Sequence, residues 1–210
     1  MPRLTGLAPD PRRPGYRLVE VDRGRFASLP AEALDGLGLV LGEELAPPQF
    51  ARLRELADFE SALRAALRAL SHRAYAQSDL RRRLLQRQHP PGAVAAALDR
   101  LAAQGLLDDA TFARHFAAVR ARRGRGPARL VKDLLTHGVD RRVAEAAVRQ
   151  AFAEEGLDPT VLARTVATRR AAHLAHLPAP IRSRRVLAFL KRRGFEGADI
   201  RQLVEQVCGT

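Results

Sequence analysis

The stretch GLLDDATFARHFAAVRARRGRGPARLVKDLLTHGV (105–139) carries the pattern from which the fold is predicted. Its apolar residues recur three or four positions apart, which is the spacing that places them on one face of a helix. An Asp-Asp pair precedes the first periodic segment, and acidic residues are favoured at the start of a helix. Gly126-Pro127 lies between the two periodic segments. It indicates a helix boundary, because glycine commonly ends a helix and proline commonly begins one. The stretch therefore predicts two consecutive helices.

The same pattern extends in both directions and predicts nine helices in three groups of three. The middle helix of each group carries two apolar residues four positions apart: Leu80 and Leu84, Leu130 and Leu134, Val186 and Leu190. A repeated three-helix unit is the most economical interpretation. The predicted helices are roughly 59–73, 77–88, 91–104, 109–123, 127–137, 141–155, 159–176, 181–193 and 198–207.

The region before the repeats is predicted to be small and partly extended. Residues 1–15 contain four prolines and two glycines and predict a flexible tail. In the accessory segment 16–58, YRLVEV (16–21) and RFASL (25–29) flank a short turn, which indicates a β-hairpin. The predicted fold is mainly α, with this segment before three repeats. The repeats span residues 59–107, 108–157 and 158–210.

Positive charge is concentrated in the repeats. The net charge is +13, with 36 Lys and Arg residues, whereas residues 1–58 hold 8 basic and 9 acidic side chains. Such a chain favours polyanions or acidic surfaces. Nearly all of the basic residues are arginine, and a GC-rich genome would also favour arginine over lysine. Clustered charges are often only a solvated helix face, but their recurrence in each repeat favours a shared binding surface. The candidate partner-binding residues are Arg81, Arg82, Arg83, Arg120, Arg122, Arg123, Arg125, Arg129, Lys132, Arg182, Arg184, Arg185, Arg192 and Arg193.

Catalytic and metal-binding chemistry is weakly supported. Adjacent aspartates on a helix point about 100° apart, so Asp108 and Asp109 are better explained as a helix cap and a first-turn acid. His173 and His176 share a helix face but lack further ligands in the sequence. Cys208 is the single cysteine, which fits a reducing compartment. We expect no enzyme activity, no metal and no cofactor.

The central stretch resembles the RecX family, whose members regulate the RecA recombinase. Upstream, AQSDLRRRL (76–84) resembles the family's first repeat, with Ala76 and Asp79 where serine and glutamate are usual. Downstream, VLAFLKRRGFEGADI (186–200) resembles the third repeat. The matching residues of the central motif are Gly105, Leu106, Leu107, Asp108, Asp109, Phe112, Gly124, Gly126, Pro127, Arg129, Leu130, Leu134 and Gly138.

This resemblance implies an elongated, curved array of three three-helix repeats without a catalytic site. It also implies binding in the groove of the RecA–DNA filament. Inhibition of strand exchange, ATP hydrolysis and coprotease activity would then regulate DNA repair and the SOS response. We expect a monomer. We also expect it in the cytoplasm, because no hydrophobic run is long enough to span a membrane and the N-terminal residues lack the apolar core of a signal peptide.

The residues alone leave an alternative open, namely a basic helical DNA-binding module or a transcription regulator of the helix-turn-helix type. No predicted helix carries the Asn, Gln and Ser residues expected of a base-reading face. No aromatic side chains are interleaved with the arginines to stack on single-stranded bases. Weak, salt-sensitive DNA binding without sequence preference is therefore expected.

Overall fold

The computed structural model describes residues 1–209, which form three strands followed by ten helices, so the predicted mainly helical fold is confirmed. The strands are β1 (Leu4–Pro9), β2 (Tyr16–Val21) and β3 (Gly24–Pro30). The first five helices are α1 (Ala31–Asp35), α2 (Pro47–His72), α3 (Gln77–Gln86), α4 (Pro91–Ala103) and α5 (Asp109–Ala121). The last five are α6 (Pro127–Thr136), α7 (Arg141–Glu154), α8 (Pro159–His173), α9 (Ala179–Arg193) and α10 (Asp199–Cys208).

The predicted hairpin is confirmed as part of a three-stranded antiparallel sheet in the order β1-β2-β3. Its tight turn places Asp22 and Arg23 at positive φ, which fits the twist of the flanking strands. Buried side chains from each strand meet Leu34 and Leu53 in one apolar core. The sheet is therefore held by the helices that follow it in the chain.

The predicted flexible tail over residues 1–15 is wrong, because residues 4–9 form β1 and pair with β2. The prolines that suggested a loose tail lie outside the strand or at its last residue, where a missing N–H costs little. Leu4 is fully buried. The strand is stabilised by pairing with residues that follow it, which local composition does not reveal.

The predicted start of a helix at residue 59 is also wrong, because residue 59 lies inside the continuous 26-residue helix α2. No glycine or proline interrupts the chain there, and extending a helix costs less than starting a new one.

The chain forms two compact units. The first contains Met1–Ala74 and Leu80–Leu106, and the second contains Tyr75–Asp79 and the residues from 107 onward.

The predicted apolar pairs of the middle helices are buried in every repeat. In the first unit, Leu80 and Leu84 of α3 are almost completely buried. In the second unit, Leu130 and Leu134 join the core formed by α5, α6 and α7. Val186 and Leu190 join the separate core formed by α8, α9 and α10. The helical period read from the sequence is therefore correct in each group.

Candidate interaction surface

Asp108 is the N-cap of α5, as the sequence predicted. Its carboxylate accepts hydrogen bonds from the backbone N–H groups of Ala110 and Thr111, at 3.0 and 3.1 Å. The hydroxyl of Thr111 also donates to Asp108, and this bond, with the two backbone bonds, lowers the pKa of the carboxyl. Asp140 and Asp158 cap α7 and α8 in the same way.

Asp109 has a second role that the sequence did not reveal. Its Oδ1 accepts a hydrogen bond at 2.8 Å from the backbone N–H of Gln77, the first residue of α3. Nearby, Asp79 Oδ2 lies 2.6 Å from Nδ1 of His137, whose ring lies edge-on to Phe116. These polar contacts join segment Tyr75–Asp79 to the rest of the second unit. The aspartate pair is therefore structural.

The other motif residues also support helix boundaries or the core. Gly105 follows the end of α4 at a positive φ of 68°, and Pro127 is the first residue of α6. Leu107 is buried, whereas Leu106 is exposed. Phe112 is half-buried against Phe116, and Gly138 follows the end of α6 at a positive φ of 79°.

The start of α6 rests directly on the end of α9. The backbone N–H of Gly126 donates to the carbonyl of Arg193 at 2.7 Å, and that of Ala128 donates to the carbonyl of Gly194 at 3.3 Å. Gly194 has a φ of +82°, and a Cβ built there would overlap the backbone N and Cβ of Arg129. Both glycines therefore permit a backbone-to-backbone junction between the second and third repeats.

Several of the cations that were predicted to bind a partner instead stabilise the second compact unit. The Arg193 guanidinium donates to the carbonyls of Arg123 and Gly124 at 2.9 and 3.1 Å, where α5 has ended. Arg182 donates to the carbonyl of Cys208 at the end of α10. Cationic donors at helix C-terminal carbonyls are favourable, so these two arginines have structural roles.

Other cations that were predicted to bind a partner form ion pairs with acidic side chains. Arg122 forms a two-pronged ion pair with Glu155, and this contact raises the pKa of the Arg122 guanidinium. Asp133 accepts from Arg125 and lies 2.8 Å from Nε of Arg129, so one carboxylate holds two cations.

Arg120 lies with its guanidinium carbon 3.5 Å from the centre of the Phe116 ring. Burial lowers the pKa of Arg120, as do the charges of its arginine neighbours. Arginine remains protonated in proteins. Much of the positive charge around α6 is therefore packed or compensated within the fold.

The cations on the exposed face of α9 differ from those around α6. Arg184, Arg185, Lys191 and Arg192 are solvent-exposed and make no ion pair or hydrogen bond with their side chains among residues 1–209. Exposed candidates on other elements are Arg81, Arg82, Arg123 and Lys132, while Arg83 is half-buried.

The described residues provide little that resembles a catalytic centre. No group of three or more His, Cys, Asp or Glu side chains in residues 1–209 could hold a metal ion. His173 and His176 are exposed, and Cys208 is buried in the core of the third repeat. None of the helices in these residues is long and apolar enough to cross a membrane.

Known proteins share both the sequence and the fold. Residues 62–101 match the family profile of the RecX first three-helix domain, and residues 108–148 match that of the second. The chain is 37% identical over 138 residues to "Regulatory protein RecX" of Halorhodospira halophila, covering 65% of this chain and 82% of the relative. It is 36% identical over 159 residues to the protein of that name from Xanthomonas oryzae pv. oryzae, covering 76% and 94%.

Two solved structures extend the fold comparison. A crystal structure of regulatory protein RecX superposes with a TM-score of 0.77 at 20% identity, covering 98% of this chain and all of the other. The RecX structure from Lactobacillus salivarius gives a TM-score of 0.61 at 19% identity, covering 72% and 97%. At such identities the likeness concerns the fold, whereas the sequence relatives carry the assignment: this chain belongs to the RecX family.

Proposed function

We propose that this chain regulates the RecA recombinase by binding along the RecA–DNA filament. The observation that carries the proposal is its similarity, over most of its length, to relatives named regulatory protein RecX. Binding in the filament groove restrains strand exchange, ATP hydrolysis and coprotease activity, and so limits DNA repair and the SOS response. The chain acts as a cytoplasmic monomer without a cofactor or enzymatic activity of its own.

Repetition supports a filament as the partner. A filament presents the same surface at regular intervals, and a protein with three-helix repeats presents related surfaces of its own. Several weak contacts made together bind far more tightly than any one alone. The contacts are assigned to exposed cations rather than to those that hold the fold. These are Arg81, Arg123, Lys132, Arg184, Arg185, Lys191 and Arg192.

The test is RecA-dependent ATP hydrolysis on single-stranded DNA. The chain is added to assembled filaments in one series and to DNA before RecA in another. Inhibition of assembled filaments is expected in the first series, and an unrelated basic protein serves as the control for general polycation effects. Equal hydrolysis with and without an equimolar amount of the chain, in both orders of addition, would contradict the proposal.

Charge reversal of exposed cations separates binding from folding. The triple variant Lys132→Glu, Arg184→Glu and Arg185→Glu should retain the wild-type circular dichroism melt, because exposed substitutions change stability by about 0.5 kcal/mol or less each. Its affinity for the filament should fall at least tenfold, mainly through slower association. Arg129 is left intact because a glutamate there would face Asp133. Undiminished inhibition by this variant would return these cations to a purely solubilising role.

A module that binds DNA alone is the second candidate. The exposed cations of α9 favour it, since no acidic side chain among residues 1–209 pairs with them. This candidate predicts that inhibition appears only when the chain is added before RecA and that excess DNA abolishes it. The order-of-addition series therefore distinguishes the two functions.

A further inference from the structure

We infer that the exposed face of α9 is a binding site for the phosphate backbone of double-stranded DNA. The site consists of Arg184, Arg185, Lys191 and Arg192 around Ala188. The inference deepens the proposed function and rests on it for the purpose of the contact. The binding itself is tested without recombinase.

The four cations lie on one side of the helix. At 100° per residue, positions 184, 185, 188, 191 and 192 fall within about 120° of arc, while Val186 and Leu190 point into the core. Arg184 with Lys191, and Arg185 with Arg192, form two rows about 10.5 Å long, because seven residues rise that far. The small side chain of Ala188 lies between the rows and lets a backbone approach the helix closely.

The fold explains only part of the positive charge on this face. Lys191 and Arg192 lie in the last turn, where cations interact favourably with the helix dipole, but Arg184 and Arg185 lie well before it. α9 contains no acidic residue, and Glu196, the next acid in the chain, forms no ion pair among residues 1–209. Uncompensated cations on one face repel each other, and a polyanion relieves that repulsion.

The corresponding helix of the second repeat provides the contrast. On α6, Asp133 neutralises Arg129 and also binds Arg125. The two helices occupy equivalent positions in their repeats, but of the two only α9 has all of its exposed cations unpaired among residues 1–209. We therefore expect the third repeat, rather than the second, to make the stronger contact with phosphate.

Duplex DNA is the partner that fits this chemistry. Single-strand sites combine cations with aromatic side chains on which bases stack. The aromatic residue of α9, Phe189, instead lies half-buried with the guanidinium carbons of Arg170 and Arg193 at 5.3 and 4.9 Å from its ring centre. Duplex DNA presents one charge about every 1.7 Å of its axis, which suits four closely spaced cations. Because no side chain here reads bases, binding is independent of sequence.

The test uses fluorescence anisotropy with a labelled 30-base-pair duplex in a series of NaCl concentrations. If four phosphates are neutralised, the logarithm of affinity should fall with the logarithm of salt at a slope of about −3.6. The variant Arg184→Gln/Arg192→Gln should bind at least tenfold more weakly at low salt, with a slope shallower by about 1.8. The matched control, Arg142→Gln/Arg149→Gln, removes the same charge from exposed positions of α7 and should behave as wild type.

Other outcomes overturn either the inference or the proposed function. Equal weakening by both variants means that net charge, not α9, governs the affinity. No weakening by the α9 variant means that α9 does not contact DNA. If that variant also loses inhibition of assembled RecA filaments while binding the duplex normally, α9 faces protein, and the proposed function stands without this inference. If the α9 variant alone loses duplex binding but the wild-type chain never inhibits RecA, the inference stands and the proposed function fails.

Discussion

Replacing Gly194 by alanine should separate the second and third repeats more than it damages either one. Gly194 has a φ of +82°, and alanine in this left-handed region costs about 1–2 kcal/mol. The new Cβ would also lie 2.7 Å from the Cα of Arg129 and overlap its backbone N. Moving α6 away weakens two backbone hydrogen bonds, at Gly126 and Ala128, each contributing about 0.5–1.5 kcal/mol. The expected loss is therefore about 2–5 kcal/mol.

Two control variants divide this loss into its causes. Gly156 also has a positive φ, +60°, but a Cβ there meets no atom within 4 Å, so Gly156→Ala should cost only the backbone term. Gly126 has an ordinary φ of −79°, but a Cβ there would overlap the carbonyl of Gly194, so Gly126→Ala should cost only the contact term. Together the two controls should approximate the effect of Gly194→Ala.

The assay is urea unfolding followed by circular dichroism at 222 nm, supported by thermal melts. An excess of about 1–3 kcal/mol over Gly156→Ala corresponds to a melting temperature roughly 2–12 °C lower, at about 2–4 °C per kcal/mol. Equal melting of the Gly194→Ala and Gly156→Ala variants would show that the close approach of α6 to α9 contributes nothing, and the reasoning from backbone contact would be refuted.

Three further perturbations test the core, a cap and the compensated charges. Leu134→Ala should cost about 2–5 kcal/mol in urea unfolding, because Leu134 is fully buried; an unchanged midpoint would place this residue outside the core. Asp108→Ala should cost about 1 kcal/mol at pH 7. The lowered pKa of the Asp108 carboxyl means that its stabilisation is present above the unfolded value of about 3.9 and is lost as pH falls through the lower folded value. The difference between wild type and variant in melts at several pH values should therefore shrink below about pH 4, and a gap that widened in acid would contradict the capping role. Asp133→Asn should release Arg125 and Arg129 and strengthen duplex binding by anisotropy, and weaker binding in a folded variant would refute the view that Asp133 masks these cations.

The helical repeats and their caps could be predicted from the order of residues. Each signal was local: apolar residues four apart, such as Leu130 and Leu134, an aspartate before a helix, and proline at the first helical position. These patterns act through contacts within one or two turns, so they can be read along the chain. The family motif is built largely from the same residues, which is why the membership of this chain could be predicted from its sequence.

Tertiary structure decided what distant residues do to one another. β1 forms because it pairs with β2, which follows it in the chain. The sequence showed a set of similar arginines, but only folding brings Glu155 to Arg122, 33 positions away. Arg193 likewise reaches carbonyls about seventy positions earlier. Packing brings particular carboxylates and carbonyls within hydrogen-bonding distance of a cation. These contacts decide whether the cation is compensated within the protein or available to a partner, and they cannot be read from neighbouring residues in the sequence.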